Sequence, residues 1–154
     1  EVLKGWNVKV AYKYNDVRTT FTDDGLLERP MVPRHRGLVT TDYETPDKKW
    51  LFSGQAQLTG TQRLLDHGHL PVEYHQHGGD MAPDYVLANL QATYRFSKLE
   101  IYAGGENLTD YRQHRPIIAW QDPFGPFFDA TQVYAPTMGA RGYIGIRWWI
   151  GGEE

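Results

Sequence analysis

The stretch Tyr85–Phe96, "YVLANLQATYRF", decides the fold. Val86, Ala88, Leu90, Ala92, Tyr94 and Phe96 occupy every second position, and Asn89, Gln91, Thr93 and Arg95 fill the places between. Strict alternation over this length is the mark of a strand with two different faces, because successive side chains point to opposite sides of a sheet. An apolar face against an amide- and hydroxyl-rich face asks what each one meets.

Five further segments share the pattern. "WNVKVAYKY" sets Trp6, Val8, Val10, Tyr12 and Tyr14 against Asn7, Lys9, Ala11 and Lys13. "GLVTTDY" puts Val39, Thr41 and Tyr43 on its less polar face, and "WLFSGQAQLTGTQ" sets Trp50, Phe52, Ala56 and Leu58 against Ser53, Gln55, Gln57 and Thr59. "LEIYAGGENL" alternates more weakly, and "YIGIRWWI" sets Ile144, Ile146, Trp148 and Ile150 against Tyr143, Gly145, Arg147 and Trp149. No helical period of comparable strength competes. The expectation is an all-β, antiparallel up-and-down meander of about six strands in one domain over 154 residues.

The connections alternate in length. "ETPDKK" and "SK" are short enough for tight turns. The segments from Thr19 to Arg36, Gln62 to Asp84 and Tyr111 to Arg141 are long. Tight turns at one end and long loops at the other are the plan of an outer-membrane barrel. Composition agrees. Aromatics make up 14% of the chain, with ten Tyr and five Trp, and such rings gather at lipid–water boundaries. Trp6, Tyr43, Trp50, Phe52, Tyr94, Phe96, Tyr102 and Trp148 all fall near the short-turn end and form a candidate girdle. A soluble sandwich with aromatic corners is the competing arrangement.

Other classes are set aside by composition. Net charge is −3, which offers nucleic acid no basic surface. The absence of cysteine excludes disulfides and thiolate metal sites. No apolar run reaches the roughly 18 residues of a membrane helix, so hydropathy alone reads as soluble, but barrel strands escape such windows. The first residues do not read as a secretory leader. No catalytic constellation is present: there is no G-x-S-x-G, no H-E-x-x-H and no phosphate-loop spacing, so no enzyme is expected.

Three stretches carry candidate chemistry. "HGHLPVEYHQHGG" holds His67, His69, His75 and His77 as two H-x-H pairs. On an extended segment each pair points one way and can chelate a divalent ion, with Asp66, Glu73 and Asp80 as oxygen donors. The more ordinary reading of the same residues is a solvated polar loop. In "IIAWQDPFGPFFDATQVY", Trp120, Phe124, Phe127, Phe128 and Tyr134 can stack on a ligand or pack the loop onto the sheet, with Asp122-Pro123 and Gly125-Pro126 setting turns. The run Arg34, His35, Arg36 can hold an anion or make a rim salt bridge. Asn107-Leu108-Thr109 fits a glycosylation sequon within "ENLTD".

The pieces "RPMVPRHRGLVTTDYETPDKKW", "ENLTDYRQ", "DPFGPFFDA" and the terminal "YIGIRWW" occur in this order. In them the chain resembles the C-terminal part of a TonB-dependent outer-membrane receptor. That resemblance implies a fold, part of a 22-stranded barrel around a plug domain. It implies a place, the bacterial outer membrane, and a role, uptake of a scarce nutrient such as a siderophore, haem, cobalamin, a metal complex or a glycan. It also implies partners: lipid, the rest of the barrel and plug, and TonB acting through an N-terminal part. Residues 1–154 would be the barrel segment without plug and earlier strands. No resident cofactor is implied; a divalent metal or its complex would be cargo. The alternative is a small independent β-sheet binding module, oligomeric or metal-sequestering. A six-stranded cut from a barrel leaves two open edges, which lipid does not tolerate unpaired.

Overall fold

A computed structural model describes residues 4–21, 25–65, 70–71, 74 and 80–150. Every regular element among them is a strand: β1 (Trp6–Tyr14), β2 (Arg18–Phe21), β3 (Gly25–Glu28), β4 (His35–Glu44), β5 (Trp50–Thr59), β6 (Gln62–Arg63), β7 (Met81–Ala82), β8 (Tyr85–Arg95), β9 (Leu99–Glu106) and β10 (Arg141–Trp148). The six long strands form one antiparallel sheet in the order β1-β4-β5-β8-β9-β10, each next to its neighbour in sequence. This is the expected meander. Two short hairpins, β2–β3 and β6–β7, stand inside the first two long connections, where the sequence pattern announces no strand.

The register carries each face across the whole sheet. One row runs Trp6, Tyr43, Phe52, Ala92, Ala103, Ile144; the next runs Val8, Thr41, Gly54, Leu90, Gly105, Gly142. On the other side the rows include Asn7, Asp42, Ser53, Gln91, Gly104, Tyr143. A one-residue slip would interchange the faces, so alternation fixes the pairing. On the apolar face Val10, Ile144 and Ile146 are 74%, 78% and 67% exposed. The middle of the apolar face, built from Gly54, Ala92, Ala103, Gly105 and Gly142, sinks into a hollow of about 1020 Å³.

At the turn end the apolar face closes with rings. Tyr43 stacks on Phe52, Phe52 on Trp50, Trp50 meets Tyr94 edge-on at 4.8 Å, and Tyr94 meets Phe96 the same way. Tyr102 departs from the expected girdle. It lies on the polar face, where its ring covers Gly145, its cross-strand partner, while Tyr143 covers Gly104 one pair away. Each glycine leaves the slot its opposite tyrosine fills, so the two strands lock reciprocally.

The tight turn between β4 and β5 follows from "TPDKK". Pro46 takes the second place of a turn closed by Lys48 N–H donating to Thr45 C=O at 2.8 Å, and Lys48 adopts a left-handed φ of 57°. Asp47 accepts from the Thr45 hydroxyl at 2.6 Å and the Lys49 N–H at 3.2 Å. The Thr45 hydroxyl, then the Lys49 N–H, hold the Asp47 carboxyl below its usual range.

Fully buried side chains collect at the loop end. Leu64, Ala82, Ile118, Ala135 and Gln132 are buried there, while all nine residues of β1 are exposed. Leu70, Ile118 and Ala119 form an apolar cluster with Tyr74 against it, so two long connections pack on each other. Among the described residues no helix is long and apolar enough to cross a membrane, which leaves crossing by strands untouched.

Candidate functional site at the loop end

The segment after β9 is built on "ENLTDYR". Asn107 and Asp110 both take left-handed φ, 50° and 52°, a conformation that suits short polar side chains. The Asn107 N–H donates to Asn89 Oδ1 at 2.9 Å, and its side-chain amide donates to the carbonyls of Tyr111 at 2.8 Å and Met138 at 3.0 Å. Thr109 Oγ1 donates to Val86 C=O at 2.6 Å. The motif therefore ties the end of β9 to β8 and to the chain entering β10. With the Asn107 amide buried and both hydrogens engaged, the sequon is a structural knot. Asp110 Oδ1 accepts from the Ala140 N–H at 2.8 Å and from Arg112 at 2.9 Å. The Ala140 bond first, then Arg112, holds the Asp110 carboxyl below its ordinary value.

Beyond it, three consecutive turns span residues 119–128. Asp122 N–H donates to Ala119 C=O, Gly125 N–H to Asp122 C=O, and Phe128 N–H to Gly125 C=O, at 3.0, 3.0 and 3.3 Å. Pro123 and Pro126 occupy the second positions of two of them, where a fixed φ is an advantage. Ile118 and Asp129 exchange both backbone bonds and close the string. The five aromatic candidates of this region do not converge. Phe124 is fully exposed at the tip, and Trp120 is also exposed. Phe127 contacts Tyr74 at 5.7 Å. Phe128 is exposed on the same string, and Tyr134 belongs to a different group. No ring pairing among the described residues joins any two of the five.

Two features escaped the sequence reading. Gln113 is buried and acts as a hub: its Nε2 donates to Gln132 C=O at 2.7 Å, while Oε1 accepts from the N–H groups of Tyr134 and Ala135. Tyr85 and Tyr111 stack at 4.7 Å, and Tyr85 donates to Tyr134 C=O at 3.1 Å. Burial, then a hydrogen bond with Tyr111, pushes the Tyr134 phenol up to about 12. No local motif announces either feature, because both depend on which backbone the loop folds against.

His67, His69, His75 and His77 lie outside the described residues, as do Asp66 and Glu73. Asp80 is described and gives its carbonyl to the Leu64 N–H at 2.7 Å. Among the described residues no group of three His, Asp or Glu is arranged to hold a metal ion. The basic run separates three ways. Arg34 makes a salt bridge with Glu28 at the rim. His35 turns to the apolar face, where its Nδ1 pairs with the Tyr12 hydroxyl at 2.6 Å. Arg36 turns to the polar face beside Lys13.

Part of the polar face is hydrogen-bonded within itself. Ser53 donates to Asp42 at 2.6 Å, and Tyr143 donates to Gln91 Oε1 at 2.9 Å across three strands. Around them Thr40, Gln55 and Asn89 border a shallow hollow of about 300 Å³. At the turn end an ionic ladder crosses β4, β8, β9 and β10. Arg95 bonds both Glu44 and Glu100, and Arg147 reaches Glu100 at 2.8 Å. These groups suit a wall facing water or a polar partner. Comparison with family models, with curated proteins and with solved structures returned no match to this chain.

Proposed function

We propose that this chain forms wall strands and outer loops of a bacterial outer-membrane importer of the TonB-dependent kind. The observation that carries the reading is the apolar face, six strands wide and uncovered, opposite a polar face on which Ser53 bonds Asp42 and Tyr143 bonds Gln91. Lipid is the natural cover for the first, and an aqueous lumen or polar plug for the second. Strands of eight to eleven residues match the span of a tilted membrane strand. The aromatic chain at the turn end supports the reading, because such rings gather at lipid–water interfaces. The two unpaired edges, β1 and β10, are where further barrel strands would join.

In this role the chain catalyses no reaction. It bounds a passage, and its loops help admit a nutrient cargo whose uptake draws on TonB. Lipid-depth quenching tests the reading. Brominated lipids should quench Trp6, Trp50 and Trp148 most strongly when the bromine lies near the headgroups. Trp120, in the loop, should respond to aqueous iodide instead. Uniform response of all four to iodide, with none to brominated lipid, would remove the membrane from the account.

A further inference from the structure

Charges on the polar face are matched nearly everywhere. Glu44, Arg95, Glu100 and Arg147 share one ladder, Glu106 holds Arg141, and Asp42 accepts from Ser53. The exception lies at the loop end of β1 and β4. Lys13 and Arg36 are direct cross-strand partners, and Lys9 lies four residues before Lys13 on the same face, toward the middle of β1. No ion pair among the described residues reaches any of the three. The nearest carboxylate in the register, Asp42, is the partner of Asn7, one diagonal step from Lys9. Like charges placed directly opposite destabilise a strand pair. A carboxylate at either position would relieve that repulsion, and the sequence does not supply one.

The same row continues from Arg36 to Thr59 and then to Tyr85. Thr59 is 2% exposed, and its hydroxyl has no hydrogen-bond partner among the described residues. At a strand spacing of about 4.8 Å, the row from Lys13 to Tyr85 measures roughly 14 Å.

We propose that Lys13 and Arg36, with Lys9 farther along the same face, bind a multivalent oxyanion, a small molecule carrying two or more carboxylate or phosphate groups. The inference rests on the reading of the polar face as the passage wall. Opposed side chains start about 5 Å apart at Cβ, so one oxyanion can bridge Lys13 and Arg36. The Arg36 guanidinium offers a planar fork and the Lys13 ammonium acts as a point charge beside it. Binding neutralises the cross-strand repulsion and thereby stabilises the β1 edge.

Calorimetric titration of the full chain in zwitterionic micelles, with citrate and with tripolyphosphate as probes, tests this. Wild type should bind both saturably, and the affinity should fall as salt rises. The double variant Lys13→Gln, Arg36→Gln should bind at least tenfold more weakly. Lys98→Gln, which removes one cation at the opposite end of the sheet, should bind as wild type does. Lys13→Glu separates binding from folding: it should raise the melting temperature and still weaken the anion by a similar factor. A lipid headgroup could supply the same phosphate, so partition is compared between phosphatidylglycerol and phosphatidylcholine vesicles. Equal partition of wild type and double variant into both supports a free anion. Loss confined to phosphatidylglycerol vesicles, with citrate binding intact, would overturn the small-molecule assignment. So would no citrate or tripolyphosphate binding by wild type, or equal binding by the double variant. Failure here with normal lipid quenching removes only the anion site; failure of the quenching removes the receptor reading itself.

Discussion

The two faces of the sheet share one backbone and opposite fates. On the polar face Tyr143 reaches Gln91, Ser53 reaches Asp42, and Arg95 joins two carboxylates. On the apolar face Val10, Leu90, Ile144 and Ile146 lie open with nothing packed over them. A polar face can satisfy itself laterally, because hydrogen bonds and ion pairs run between neighbouring strands. An apolar face cannot, because removing it from water needs a second layer. Most polar groups of this sheet find partners within it, whereas its apolar face finds none. The missing layer is a property of the surroundings.

A charge placed on either face probes that difference most strongly. Ile144→Arg should oppose lipid insertion by about 2–4 kcal/mol, the cost of a cation near the bilayer midplane. Gln55→Arg, on the polar face, should change it by less than about 1 kcal/mol. Unfolding titrations in urea-containing vesicles measure both, and equal costs would dissolve the distinction between the faces.

Next comes the ladder. Glu100 is buried and accepts from both Arg95 and Arg147. Its replacement by Ala should cost roughly 2 kcal/mol, since two charged bonds are lost at a covered site. Arg147→Ala, at an exposed guanidinium, should cost between about 0 and 1 kcal/mol. A larger loss from Arg147 than from Glu100 would show that the ladder is not organised around its buried carboxylate.

Glycines sharpen the comparison further. Gly145 lies under the Tyr102 ring, whereas a Cβ at Gly142 would approach only Gly104 C=O, at 3.8 Å. Gly145→Ala should therefore destabilise by about 1 kcal/mol through the displaced ring. Gly142→Ala should be neutral, and thermal melts in detergent distinguish the two.

The smallest effect lies in the loops. The Tyr134 phenol is raised, so its neutral form favours the folded state. That contribution is complete below the unfolded value near 10 and is lost as pH rises toward about 12. Absorbance titration should show one phenol ionising late, and Tyr134→Phe should remove it.

How much of this was legible beforehand follows from where period two governs. β1 begins and ends where the alternation does, and β8 ends one residue short of it. The fate of Arg34, His35 and Arg36 is also a matter of parity, although reading them as one basic run hid it. Tyr102 was misplaced because proximity to the turn end was weighed above parity; the slot it fills is visible only when Gly145 is paired with it. The β2–β3 and β6–β7 hairpins are too short to display a face. In the loops, Pro123 and Pro126 announced their turns, because proline acts locally. Gln113 announced nothing, since its bonds go to backbone some twenty residues ahead.

The absence of cysteine makes the central claim directly measurable. Single cysteines are introduced at Val10, Leu90 and Ile146 on the apolar face, and at Lys9, Gln55 and Gln91 on the polar face. Each variant is assembled in lipid and treated with a charged maleimide. The account predicts slow labelling of the first three, rapid labelling of the second three, and equal rates after lipid is stripped away in denaturant. Equal rates on both faces in lipid, or faster labelling of the apolar set, would contradict it.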